Sequence, residues 1–483
     1  MSARTEFFKP RTETTQPMRF HKKRALVSLT LMLLAAGCDS TLSVEPISDT
    51  PEDRAIVDPT GARAALAGAY DALQAGSYYG GEVLFYGDLP SEDVDWVGTF
   101  TDYAEADDNE LKTQNLSIEA IWEDIYAAVG SVNQLIKRLA TPVTGLDDDE
   151  RDDMLGQAYF LRALSYHNLV KFWGDVPLRL EPAPSVNEAS QIARSSEAEV
   201  YTQILSDLNQ AEQLITNTAN LRRATLGAVE ALRSRVYLYQ ENWAATVAAA
   251  DAVIAMGYSL APNFSDLFTP DGQDTPEDIF RVSFTPQEFT NVGFYYISRS
   301  FGGRRELSPS FDLIDAFGFS ADPNYDPDTL QTTNDDGDLI FHPRDARAAW
   351  SISFDARNRR YGSKYPTTEG AEDIHVIRLA EVLLNKAEAL AHLGQLSQAV
   401  DIVNEIRARA GVPDIAATSQ QAVLDAIWLE RRLELAMEGF RWPDLVRTGQ
   451  AIPVLGIPSF QQLFPIPQNE VDVAPNVAQN PGY

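Results

Sequence analysis

Apolar residues recur at spacings of three and four along most of the chain, and this period predicts a mostly helical protein. Ser196 with Glu199 three residues later matches a capping box at the start of one such segment. Gly257, Gly394 and Gly411 stand just past the ends of three others, where helices commonly stop. The predicted helices cover residues 62–73, 118–139, 150–172, 196–215, 226–240, 244–256, 374–393, 396–410 and 421–437.

Two pairs of these helices carry small residues where the partners would cross. In 377–410, Ala387 and Ala389 precede a turn at Gly394 and are followed by Ala399. The segment 228–254 has a similar layout. Such spacing is similar to that of tetratricopeptide helix pairs, in which alanines let antiparallel helices approach closely. Ordinary antiparallel hairpins remain the alternative, because the repeats are degenerate.

Two stretches, 77–115 and 269–364, lack the helical period and are predicted to be loops that bind a ligand. Both are rich in aromatic residues, and the first also in carboxylates. Aromatic faces stack on the C–H groups of sugars while carboxylates bind sugar hydroxyls, although each aromatic taken singly could instead belong to the core. The candidate binding residues, with Trp96 first, are Trp96, Tyr86, Tyr103, Asp88 and Asp95 in the first stretch and Tyr295, Tyr296 and Arg299 in the second.

The N-terminal region has the layout of an export signal. A basic stretch, 19–24, precedes an apolar run, 25–37, which is too short to span a bilayer and ends at Cys38. Small residues directly before a cysteine resemble a bacterial lipobox, so we expect residues 1–37 to be removed and Cys38 to carry lipid. An ordinary signal peptide with a chance cysteine is the alternative. Met18 is a candidate for the true start, since the residues before it look unlike a signal.

The remaining chain is strongly acidic. Residues 38–59 are polar and contain prolines, which predicts a flexible tether, and residues 60–483 show no linker and are predicted to form a single body. The full chain has a net charge of −31, which becomes −36 once residues 1–37, with seven basic and two acidic side chains, are removed. Such a charge argues against nucleic acid as a partner and leaves the lipid as the attachment to a membrane.

Several motifs together resemble the SusD/RagB family of nutrient-binding outer-membrane lipoproteins. They include the lipobox, Gly87-Asp88 and Trp96, and four longer runs. The resemblance spans the chain from the lipobox to Tyr483 and implies four tetratricopeptide-like units packed against a variable, loop-rich ligand-binding part. The longer runs are 160–177, 429–449, 463–470 and 479–483.

What the resemblance implies about function is capture without catalysis. Members sit on the cell surface over a SusC-like TonB-dependent transporter and bind oligosaccharides or, in some cases, peptides. We therefore expect no enzyme activity and no cofactor. Two other classes stay open at this point: an all-α glycoside hydrolase of the cell surface, and a helical scaffold that binds only proteins.

Glu430, Glu434 and Glu438 could be read as the carboxylate pair of such a hydrolase. Their spacing of four residues places them on one face of a helix, where they would repel one another unless basic residues lie opposite. We expect a structural charge network, with its cations supplied by Arg431, Arg441 and Arg447.

An acidic stretch that starts at Asp322 is rich enough in oxygen ligands for calcium. Pro327, however, stands where the calcium loop of an EF-hand needs glycine, and Thr333 where it needs glutamate. The histidines show no metal-ligand spacing either. The sequence therefore favours a solvated acidic loop and no metal.

Overall fold

The computed structural model describes residues 56–182, 185, 188, 190–218, 220–269, 274–318, 332–333, 339–340 and 345–483. Cys38, most of the predicted tether and the acidic stretch from Asp322 lie outside the described residues, apart from the backbone of 332–333 and 339–340. Residues 56–483 group into one unit by their contacts.

Helices dominate the described residues, so the prediction of a mostly α fold is confirmed. None of them is both long and apolar enough to cross a bilayer. In chain order they are α1 Pro59–Asp71, α2 Glu82–Asp88, α3 Thr101–Asp107, α4 Leu116–Leu139, α5 Asp148–Trp173, α6 Glu197–Leu214, α7 Leu226–Tyr239, α8 Trp243–Ala255, α9 Val292–Tyr296, α10 Phe311–Ala316, α11 Ala346–Ser351, α12 Leu379–His392, α13 Leu396–Ala410, α14 Gln420–Glu434, α15 Arg441–Arg447, α16 Ala451–Leu455 and α17 Gln468–Val473.

The strands are short and pair two by two, always antiparallel. The pairs are β1 with β5, β2 with β3, β4 with β10, β6 with β7 and β8 with β9. Their bounds are β1 Val94–Trp96, β2 Val176–Pro177, β3 Arg194–Ser195, β4 Asp278–Val282, β5 Leu307–Pro309, β6 Thr332–Thr333, β7 Leu339–Ile340, β8 Ile352–Phe354, β9 Arg360–Gly362 and β10 Ile374–Arg378.

The two predicted helix pairs form, because small residues let the helices meet. Helix α12 packs against α13, and Ala387 and Ala391 on α12 and Ala399 on α13 are fully buried. The pair α7 and α8 packs in the same way, and α4, α5 and α6 form a further layer. Asp147 caps α5, and acidic residues fill its first turn, where they stabilise the positive end of the helix dipole.

One predicted helix begins later than its sequence pattern indicated. Residues 374–378 form strand β10, all five of them buried, and α12 starts only at Leu379. The run Ile-His-Val-Ile-Arg is rich in β-branched residues and pairs with the equally buried β4. Packing on both faces of this strand pair outweighs the local helical spacing.

The two stretches predicted as loops contain short elements. The first holds α2, β1 and α3, and the second holds β4, α9, β5, α10, β6, β7, α11, β8 and β9 within its described residues. Strand β5 contacts β9 as well as β1, so the two stretches meet along a small set of strands. This meeting point positions the aromatic residues of both stretches.

Candidate ligand-binding surface

Trp96 lies at the end of β1, where pairing with Leu307 of β5 fixes its backbone. Its indole stacks on the ring of Tyr103 with centroids 4.6 Å apart and planes 14° apart. Phe100 lies nearly parallel to the indole at 6.3 Å and is 44% exposed. Trp96 itself is half-buried. Trp96 and Phe100 form an aromatic face at the surface, and the buried Tyr103 ring packs against the indole.

The layer beneath this face is held by a buried carboxylate. The hydroxyl of Tyr103 donates to Oε1 of Glu82 at 2.8 Å, and burial raises the pKa of Glu82. Tyr295, which is half-buried, lies 6.1 Å from the Tyr103 ring and 5.4 Å from Phe85. Aromatic residues of both predicted loop stretches therefore meet here.

Three candidate residues lie in the interior. Tyr86 is fully buried and its hydroxyl donates to the carbonyl oxygen of Asp102 at 3.0 Å. Asp88 accepts from the backbone N–H groups of Gly439 at 2.8 Å and Arg441 at 3.2 Å, and burial raises its pKa to about 7. Tyr296 is 2% exposed. Because all three side chains are buried within the protein, we assign them to support and not to ligand contact.

The other two candidates lie at the surface. The Asp95 side chain is 39% exposed and forms an ion pair with Arg360 of β9. Arg299 is exposed, and its Nε–H donates to the carbonyl oxygen of Arg304 at 2.9 Å. Both side chains therefore remain accessible to solvent in the region of the aromatic face.

Several residues of this region were not among the candidate binding residues, and Phe311 and Arg360 among them come from segments far from Trp96 in the sequence. The guanidinium of Arg304 lies 5.1 Å from the Phe100 ring centre and 5.3 Å from that of Tyr295. That of Arg360 lies 3.8 Å from the ring of Phe311, which is 52% exposed. We call the whole set the aromatic–arginine surface: Trp96, Phe100, Tyr295, Arg299, Phe301, Arg304, Phe311, Arg360 and Tyr361.

A basic signal in the sequence could have found part of it. Residues 357–361 read Arg-Asn-Arg-Arg-Tyr, and Phe301 is followed closely by Arg304 and Arg305. In the structure, Phe301 and Tyr361 bring these two segments together, with ring centres 5.7 Å apart. Strand β9 pairs with β8 and contacts β5, and β5 pairs with β1, which ends at Trp96. This chain of contacts brings both segments to the region of Trp96 and is not visible in the sequence.

The carboxylates of α14 and the turn after it are buried in a charge network, as expected, but the expected cations were wrong. Glu430 pairs with Arg347 and Arg407, at 2.6 and 2.8 Å. Glu434 pairs with Arg347 and Arg378, at 3.1 and 2.6 Å.

Glu438 completes the network through Arg378 and Lys364, at 2.8 and 2.5 Å. Arg431 and Arg447 instead bind Asp444, and Arg441 binds Glu92. The cations that neutralise the glutamates thus come mainly from other elements. Glu430 and Glu434 are fully buried and ion-paired, so neither is placed to act on a substrate.

The described part of the chain contains no group of three or more His, Cys, Asp or Glu side chains arranged to hold a metal ion. The expectation about calcium near Asp322 concerns residues outside it.

Two known protein families match the chain, one in its N-terminal half and one in its C-terminal half. Residues 357–453 match the SusD family, and residues 43–238 match a family described as starch-binding and associating with the outer membrane. The chain is 29% identical to the SusD-like protein P38 of Formosa agariphila, over 90% of this chain and 94% of that one.

Solved structures share the fold. A SusD superfamily protein from Bacteroides vulgatus superposes with a TM-score of 0.77 at 23% identity and covers 88% of this chain and 99% of its own. A laminarin-binding SusD-like protein superposes with a TM-score of 0.73 at 25% identity and covers 88% of this chain and 100% of its own.

Proposed function

Since the chain belongs to the SusD/RagB family, we propose that it is a cell-surface lipoprotein that binds oligosaccharides at the aromatic–arginine surface and delivers them to a SusC-like TonB-dependent transporter. The observation that carries the proposal is the stack of Trp96 on Tyr103 beside exposed Phe100. Sugar rings bind to such flat aromatic faces through their C–H groups.

The polar groups around the stack support the same proposal. Asp95 and Arg299 are exposed close to the rings and are suited to hydrogen bonds with hydroxyl groups. The neighbouring Tyr295 and Arg304 extend the surface away from β1. A peptide ligand would be held by the same aromatic rings, and it is the alternative ligand within this proposal.

The anchor and the partner rest on the sequence and the family. Cys38 would carry the lipid, residues 38–59 would act as the tether, and the body from residue 60 would sit on the transporter. A tether keeps the body at a high local concentration near its partner while leaving it free to swing away and admit ligand. A captured oligomer is useful to the cell only if a pore receives it.

The experiment that tests this function measures binding and turnover together. Purified protein is titrated with neutral and charged glycans and with peptides, and each mixture is analysed for products. We expect binding of an oligosaccharide without cleavage. Trp96→Ala should weaken it about tenfold or more, because stacking contributes on the order of 1 kcal/mol beyond the buried area. Phe460→Ala, which removes a half-exposed ring elsewhere, is the matched control.

Three results would contradict the proposal. Product formation would indicate a hydrolase, and binding to proteins alone would indicate a scaffold. Unchanged glycan affinity in Trp96→Ala, with a normal melting temperature, would place the binding site elsewhere. If Trp96→Ala strongly lowers the melting temperature, Phe100→Ala becomes the test variant. Phe100 is more exposed than Trp96 and contributes less to the core.

A further inference from the structure

Arginines are concentrated in two segments of a protein that is otherwise strongly acidic, and from these segments Arg304 lies over Phe100 and Tyr295 while Arg360 lies over Phe311. Within the described residues, they come from two short segments that β5, β8 and β9 hold together. The chain as a whole has 39 basic and 70 acidic residues, so this concentration runs against its composition. The group consists of Arg299, Arg304, Arg305, Arg357, Arg359 and Arg360.

Only half of these arginines are neutralised by a neighbouring carboxylate. Arg304 pairs with Glu306 at 2.5 Å, Arg359 pairs with Asp355 at 2.6 Å, and Arg360 pairs with Asp95. The six arginines together with these three carboxylates therefore have a net charge of +3.

The remaining three guanidinium groups have no carboxylate partner in the part of the chain that the structure describes. Arg299 donates to a backbone carbonyl, and so does Arg305, whose Nε–H reaches the carbonyl oxygen of Arg360 at 2.7 Å. Arg357 is exposed. Partial burial and the neighbouring Arg359 and Arg360 lower the pKa of Arg305, which reflects the crowding of like charges.

From this arrangement we infer that the oligosaccharide carries anionic groups, carboxylate or sulfate, which bind Arg299, Arg305 and Arg357 while its rings stack on the aromatic face; the inference rests on the proposed function. The planar fork of a guanidinium matches either oxyanion with two parallel hydrogen bonds. A neutral glycan would offer these three guanidinium groups no opposite charge.

The charges also orient the ligand. Asp107 of α3 accepts the backbone N–H of Trp96, and its pKa is raised to about 7 by burial and by Asp95 and Asp108. Asp107, with Asp95 and Asp108 near it, thus lies beside Trp96, so the anionic groups belong on the side of β5 and β9. Elsewhere the acidic body repels a polyanion, which concentrates such a ligand at this surface.

The test compares glycans that differ only in charge. Alginate oligosaccharides are used with their carboxyl-reduced forms, carrageenan oligosaccharides with their desulfated forms, and laminarin and starch as neutral glycans. We expect a charged form to bind at least about tenfold more tightly than its neutral counterpart in about 0.01 M salt. This advantage should shrink in about 1 M salt, where the Debye length falls from about 30 Å to about 3 Å. Binding of the alginate oligosaccharides identifies carboxylate as the anion, and binding of the carrageenan oligosaccharides identifies sulfate.

A double variant assigns the effect to residues. Arg305→Gln with Arg357→Gln, two residues outside the aromatic–arginine surface, should remove most of the advantage of the charged glycan and leave the neutral form within about twofold. Lys137→Gln with Arg138→Gln removes the same charge from the far end of α4, about 30 Å along the helix from Leu116. This control should retain the charged-glycan affinity.

The outcomes separate the two proposals. Equal or tighter binding of the neutral forms overturns the inference and leaves the proposed function standing, as does an equal loss in the double variant and its control. Failure to bind any glycan in the panel overturns the proposed function and the inference with it.

Discussion

At the scale of single residues, a buried charge network links several elements of the fold. Arg378 is almost fully buried and contacts Glu277, Glu434 and Glu438 at 2.6 to 2.8 Å. Burying charges is costly unless each has partners, and here every carboxylate of the group has them. The network joins β10, α14 and the turn before α15, so loss of one member leaves uncompensated charge in the core.

Glu438 offers a test at this scale. Replacing it with glutamine leaves Lys364 and Arg378 with excess positive charge, and we expect a loss of about 3–5 kcal/mol in the free energy of unfolding at pH 7. Attraction to Arg378 and Lys364 outweighs burial and lowers the pKa of Glu438 to about 2. A lowered pKa stabilises the fold above the ordinary value of about 4.3, and the contribution is lost as the pH falls towards 2.

Denaturant titrations of wild type and Glu438→Gln at neutral pH and near pH 2 measure this effect. The stability gap between the two proteins should narrow at the lower pH. Glu405→Gln, on the exposed face of α13, should match the wild type at both. A stability gap that is the same at both pH values would mean that Arg378 and Lys364 do not lower the pKa of Glu438.

At the scale of elements, the turn after β1 controls the aromatic face. A Cβ built on Gly98 would lie 2.6 Å from Cη2 of the Trp96 indole, closer than atoms pack in proteins. A glycine at this position thus lets the indole lie flat on Tyr103. Strand pairing of β1 with β5 fixes the other side of Trp96, so the ring position is set by two elements from distant parts of the chain.

Gly98→Ala should therefore displace the indole and weaken glycan binding several-fold while the melting temperature changes little, because the ring is half-buried and can move outward. Glycan titration and tryptophan fluorescence measure the two effects. Gly130→Ala in the middle of α4 is the control, since nothing lies within 4 Å of the added methyl group. It should keep full affinity and gain about 0.5–1 kcal/mol of stability. Equal affinity in both variants would show that the indole position does not matter for binding.

At the scale of the whole molecule, the proposed function needs two attachments, a lipid and a transporter. Cys38→Ala should release the protein from the outer membrane when the transporter is absent, because no other lipid site is predicted. Membrane fractionation measures the distribution. A variant that stays with the membrane in that strain would contradict the anchor.

The transporter is tested by gentle detergent extraction of the wild-type protein. A barrel protein should co-purify, and deletion of the lipoprotein should impair glycan uptake. Recovery of the lipoprotein alone, with uptake unimpaired after its deletion, would contradict the partnership.

The sequence by itself determined the helices and their pairing. A period of three to four residues is a local property, and the bounds of α4, α5, α7, α8 and α13 agree with it within about two residues. Family membership followed from motifs that are contiguous in the chain, such as 160–177 and 429–449. These features needed no knowledge of distant contacts.

The tertiary structure decided which of the candidate residues lie at the surface and which are enclosed in the core. Tyr86 and Trp96 are both aromatic residues of one stretch, yet Tyr86 is enclosed while Trp96 is half-buried and stacks on Tyr103. The same holds for β10, whose local pattern was helical, and for the cations of the glutamate network. Burial and charge pairing depend on segments hundreds of residues apart, and the spacing of residues along the chain does not encode which of them meet.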